Sequence, residues 1–121
     1  MSKNIITLTR GDTFDFNVAV YEELYGNYYT GTRAGDKIVF KILLPHQSFF
    51  DDNPIYEDTI TLQDNNPNDE CIFYLEHEDT VNIPVGVYYY AVKLIRDPQE
   101  GENFPRQVLT LINKTKFVIN D

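Results

Sequence analysis

The chain has one cysteine, two histidines and ten basic residues among its 121, and nowhere a long hydrophobic run. Each scarcity removes a class of protein. A lone Cys71 cannot close an internal disulfide, so core packing has to hold the fold, and within its alternating segment the thiol reads as a small buried hydrophobe. Two histidines and no nucleophile elbow leave no Ser-His-Asp arrangement to nominate, so no catalytic residue is assigned. Nineteen acidic residues give a formal charge of −9, which repels a phosphate backbone. The basic residues are also scattered, so neither nucleic acid nor an anionic membrane surface is an expected partner. The amino terminus turns polar at Thr7, directly after Ile5 and Ile6, with no stretch of signal-peptide length. Nothing approaches the roughly eighteen apolar residues of a membrane span. Synthesis in a cytoplasm, without secretion, is expected.

What remains is a well-supplied core. The chain is 42% hydrophobic and 14% aromatic, far from the signature of disorder. Its length suits one domain over residues 1–121, able to bury roughly two thirds of its unfolded surface. Alternation runs from end to end. Residues 5–9 read as a short strand, followed by a Gly11-Asp12 turn and by Phe14, Phe16, Val18 and Val20 on one face of a second strand. Residues 21–35, with three glycines and four tyrosines, read as a long loop or loose hairpin. Ile38, Phe40, Ile42 and Leu44 share a face of the strand at 37–44, which stops at Pro45. Residues 55–62 and 70–75 look like a hairpin around a Pro-, Asn- and Asp-rich connector at 63–69, and 76–81 could form one helical turn. The clearest strand opens at Gly86 and places Tyr88, Tyr90, Val92 and Leu94 on one face. Strands at 107–112 and 115–119 would bracket a tight turn at Asn113 and Lys114. The expected fold is all-β, an antiparallel sandwich of seven to eight strands.

The candidate sites for chemistry are thin. Asp64, Asn66, Asn68 and Glu70 alternate like the first half of a calcium loop, but Asp69 stands where the turn needs glycine and Leu75 where a bidentate glutamate should close the site. The segment reads as a solvated turn. His77 lies among Glu76, Glu78 and Asp79, and only His46 could join it, so a surface loop is the expectation and no metal or cofactor is assigned. The loop aromatics are the features left over. Tyr25, Tyr28, Tyr29, Phe49 and Phe50 either cap the ends of a small sandwich or form an interface, since amphipathic aromatics concentrate at protein contacts.

The run Pro84-Val85-Gly86-Val87-Tyr88-Tyr89-Tyr90 resembles the corner of an immunoglobulin-like sandwich, with Tyr90 where antibody domains carry their second cysteine. The stretch 6–14 (Ile-Thr-Leu-Thr-Arg-Gly-Asp-Thr-Phe) and Tyr29-Thr30-Gly31 before residues 36–42 are similar to the N-terminal domain of phage baseplate upper proteins. So are Gly86, Tyr88, Tyr90, Thr110 and Leu111, and related Ig-like domains of tailed-phage structural proteins share the pattern. The resemblance implies a non-enzymatic virion protein of the tail, baseplate or head, assembling with copies of itself or with other virion structural proteins. Those proteins continue into further domains, so a chain ending at Asp121 is expected to be a free-standing component or adaptor. A carbohydrate-binding or host-attachment module, using the same aromatics as platforms, is the alternative.

Overall fold

The computed structural model describes residues 5–19, 23–24, 27–28, 34–63 and 70–121. Among them the chain forms nine strands and one short helix: β1 (Ile6–Thr9), β2 (Phe14–Ala19), β3 (Glu23–Leu24), β4 (Asn27–Tyr28), β5 (Lys37–Leu43), β6 (Tyr56–Thr61), β7 (Glu70–Leu75), α1 (His77–Val81), β8 (Gly86–Arg96) and β9 (Gln107–Asn120). The all-β expectation holds. The count exceeds seven to eight because the segment read as a loop or loose hairpin contains the two-residue strands β3 and β4, paired antiparallel.

Five strands form one sheet in the order β1-β9-β8-β5-β6, while β2 pairs with β7 in a second. All these ladders are antiparallel except β1 with β9, so the larger sheet is mixed. Period-two alternation turns one apolar row of each sheet toward the other. From the small sheet come Val18, Phe73 and Leu75, with Phe14 and Phe16 partly buried; the large sheet supplies Ile38, Phe40, Ile42, Tyr90, Val92, Leu94, Phe117 and Ile119. Their rings meet across the gap. Phe40 lies 5.4 Å from Phe73 and 5.6 Å from Phe16, and Phe16 meets Tyr90 edge-on at 5.3 Å.

Two local expectations are corrected. The segments at 55–62 and 70–75 are not hairpin partners, because β6 is the outer partner of β5 and β7 pairs with β2. The two strands therefore belong to different sheets, and stacked sheets lie about 10 Å apart, twice the spacing of hairpin partners. Residues 113 and 114 make no turn either. β9 runs continuously past them, and the ladder slips: Tyr90 pairs with Thr115 but Lys93 with Thr110, so extra β9 residues are taken up as a bulge. Lys114, inside the bulge, donates to the carbonyls of Pro45 (3.0 Å) and Gln47 (2.7 Å), which anchors it from outside.

Polar ties fix the ends. Asp36, 1% exposed, accepts two hydrogen bonds from Arg96, from Nε at 2.9 Å and Nη2 at 2.7 Å, joining the start of β5 to the end of β8. At the opposite end, α1 is docked on the β1–β2 turn. The Thr80 hydroxyl donates to Asp12 O at 2.6 Å, and His77 Nδ1, which must carry its proton, donates to Gly11 O at 2.8 Å. Gly11 holds φ at 92°, a turn conformation that favours glycine. Tyr88 donates its hydroxyl to Pro84 O at 2.6 Å, tying the start of β8 to the loop before it.

Two outcomes follow for denaturant unfolding. Phe40→Ala should cost about 3–5 kcal/mol, whereas the exposed Val87→Ala should cost less than about 1 kcal/mol. Arg96→Met should cost about 3–5 kcal/mol because it takes a bidentate cationic partner from a buried carboxylate, and adding Asp36→Leu should recover much of that loss.

Candidate contact surface

The alternation that fills the core also decides what the large sheet shows outward. With Ile38, Phe40 and Ile42 inward, β5 turns Val39, Lys41 and Leu43 out; with Tyr88, Tyr90, Val92 and Leu94 inward, β8 turns out Tyr89, Ala91, Lys93 and Ile95. Residues 44–55, between β5 and β6, fold back over this face. The loop is shaped by its own side chains: Gln47 accepts from Leu44 N–H at 2.9 Å and donates to Asn53 O at 2.8 Å, while Asp51 accepts from Ser48 N–H at 3.0 Å.

Phe49 is the loop's anchor. It is 6% exposed and packs with Val39 and Ala91, against the partly buried Ile95, in a small apolar cluster separate from the main core. Its neighbour Phe50 lies edge-on at 5.3 Å and is 60% exposed. Of these two aromatics, Phe50 is therefore the one a partner can reach, while Phe49 positions it. Tyr28 lies on β4, opposite Glu23. Tyr25 and Tyr29 lie outside the described residues, as do the calcium-like positions 64, 66 and 68.

Lysines surround the anchor. Lys41 Nζ donates to Phe49 O at 2.7 Å and sits 4.6 Å from the Phe49 ring centroid; Lys93 Nζ sits 5.3 Å from the same centroid and donates to Thr110 Oγ1 at 2.6 Å. Both ammonium groups are within cation–π range of the ring. Lys114 lies 5.4 Å from the Tyr89 ring centroid. Beside them opens a cavity of about 330 Å³, with apolar wall from Phe49, Ala91 and Ile112 and polar wall from Lys93, Thr110 and Lys114.

Composition hides this grouping, since the lysines are far apart in the chain, and only the pairing of β5 with β8 and of β8 with β9 brings them together. Sequence reading also passed over Ile72 and Tyr74, 41% and 55% exposed on the outer face of β7. The signal was present: with Phe73 and Leu75 inward, a strand must turn residues 72 and 74 out.

The acidic residues near α1 act on a neighbouring phenol. Among the described residues no three His, Cys, Asp or Glu side chains converge on a possible metal position. Burial, assisted by Asp79, Asp58 and Glu76, pushes the Tyr56 phenol from its ordinary 10.0 up to about 12. Asp97, by contrast, is held below the usual carboxylate range by its hydrogen bond from Arg106.

Comparison with known proteins finds no matching family model, no matching curated protein and no matching solved structure. No helix among the described residues is long and apolar enough to cross a membrane.

The Tyr56 shift has a readable consequence. A phenol whose folded pKa is raised adds stability below the unfolded pKa, and that stability is lost as pH climbs from about 10 to about 12. Denaturation midpoints measured across that window should fall, and Tyr56→Phe should fall less steeply than the parent.

Proposed function

We propose that the chain is a non-enzymatic structural component of a tailed-phage virion, an Ig-like sandwich that works by docking on other virion structural proteins or on copies of itself. Support for the Ig-like part is topological. The order β9-β8-β5-β6, facing a β2-β7 pair, corresponds to the G-F-C-C′ sheet and the B-E pair of variable-type immunoglobulin domains. Tyr88, two residues before the buried Tyr90, makes the backbone tie expected of a tyrosine corner.

The observation that carries the docking reading is Phe50. A large apolar ring held 60% exposed by a buried neighbour and a hydrogen-bonded loop is already ordered, so a partner that covers it loses little conformational entropy. Nucleic acid is not a partner in this reading, because the charge of −9 opposes it. The protein acts within the particle.

The test is co-sedimentation of the purified chain with proteins of the particle that encodes it. Phe50→Ala should weaken association by about 1–2 kcal/mol while leaving the melting temperature unchanged. A chain that stays monomeric with every particle protein present would overturn the reading. A melting temperature raised by oligosaccharides instead would replace it with a carbohydrate-binding module.

A further inference from the structure

The lysines around Phe49 are unusual for this chain. Nineteen acidic residues are available, yet among the described residues the carboxylate ion pairs go to Lys37, Arg96 and Arg106, not to Lys41, Lys93 or Lys114. Their described hydrogen-bond acceptors are uncharged: the carbonyls of Phe49, Pro45 and Gln47 and the hydroxyl of Thr110. An ammonium has three donors. Lys41 and Lys93 each give one to a described protein acceptor, which leaves two apiece for other acceptors. Lys41 and Lys93 are also half-buried, on a face where water alone solvates a cation less completely than on open surface.

The cavity beside them selects further. At about 330 Å³, with Phe49, Ala91 and Ile112 along one side, it is too large and too apolar to be filled by a bare inorganic anion. Its guanidinium-free rim also lacks the planar fork suited to phosphate. What fits is a carboxylate on an apolar stem, or a carboxylate next to an apolar side chain. The stem would meet Phe49 and Ala91, and the charge would meet Lys93 and Lys114.

We propose that this cavity is a docking site for an acidic protein segment, whose Asp or Glu side chains pair with Lys93 and Lys114 while an adjacent apolar residue enters beside Phe49. The site rests on the docking reading above only in taking its carboxylate from a neighbouring protein. Phe50, at the edge of the same loop, supplies the apolar contact surface next to the charged one.

The experiment is an amide NMR titration of the full chain with an N-acetylated, C-amidated peptide of alternating glutamate and phenylalanine. Shifts should concentrate at Phe49, Ala91, Lys93, Thr110 and Asn113, and affinity should weaken several-fold between about 50 and about 300 mM salt. Lys93→Gln with Lys114→Gln should weaken it at least five-fold, roughly 1 kcal/mol, whereas Lys93→Arg should retain most of it. Thermal melts identify any variant that fails to fold, and Lys93→Arg is the charge-preserving control. Equal binding of a glutamine-for-glutamate peptide, no localised shifts, or unchanged affinity in the double variant would each overturn the proposal. Free acetate or phosphate binding as tightly as the peptide would overturn the protein source. The two readings fail separately: a peptide-binding chain that never joins particle proteins sinks the docking function, and a chain that assembles but ignores the peptide sinks the acidic-segment site.

Discussion

The contact of Phe40 with the opposite sheet is the constraint on which the rest depends. Phe40 is fully buried on β5, and its ring meets Phe16 and Phe73 of the small sheet as well as Tyr56 and Tyr90 of its own. A buried phenylalanine contributes about 1.5–3 kcal/mol by leaving water, and aromatic pairs add about 0.5–1.5 kcal/mol each. Moving β5 by one residue would replace Phe40 in the core with Val39 or Lys41. The register is therefore strongly specified. Because side chains alternate, choosing the inward row also chooses the outward one, and the Lys41–Phe49 contact follows from the packing of Phe40.

The distribution of charge follows the same geometry. Asp36 and Arg96 are spent inside, where a bidentate pair compensates two desolvated groups. Acidic groups collect near α1 and β6, where Asp58, Glu76 and Asp79 act on Tyr56. Lysines collect on the outward face of the large sheet, clamping residues 45–49 and bordering a cavity. A chain with a strongly negative total thus carries a local positive surface. Net charge predicts long-range repulsion of polyanions, whereas a short carboxylate segment responds to the local field within a Debye length of about 10 Å.

Much of the strand content was legible because alternation is a local property. The inward rows of β2, β5 and β8 and the single turn at α1 can be read directly, whereas the tie of Tyr88 to the loop before β8 was suggested only by the resemblance of residues 84–90 to an Ig-like corner. Pairing was less legible. Residues 70–75 alternate as well for β6 as for β2, and choosing between them needs the depth of the sandwich. The Asn113-Lys114 pair has turn chemistry, yet the neighbouring β8 offered a continuous ladder and the extra residues went into a bulge. In the candidate site, adjacent phenylalanines at 49 and 50 drew attention to the right loop. Which one is buried depends on Val39 and Ala91, distant in sequence and brought beneath the loop by the β5–β8 ladder.

The sequence by itself determined an all-β chain, without the cysteines for an internal disulfide and with aromatic loops left over, because composition and period-two patterning need no partner to be read. Tertiary structure alone decided the strand order, the placing of β6 and β7 in different sheets, the buried Asp36–Arg96 pair and the convergence of Lys41, Lys93 and Lys114 on the loop that carries Phe49. These are contacts between residues far apart in the chain. Their free energy exists only once the two sheets close on each other, so no local pattern of residues encodes them.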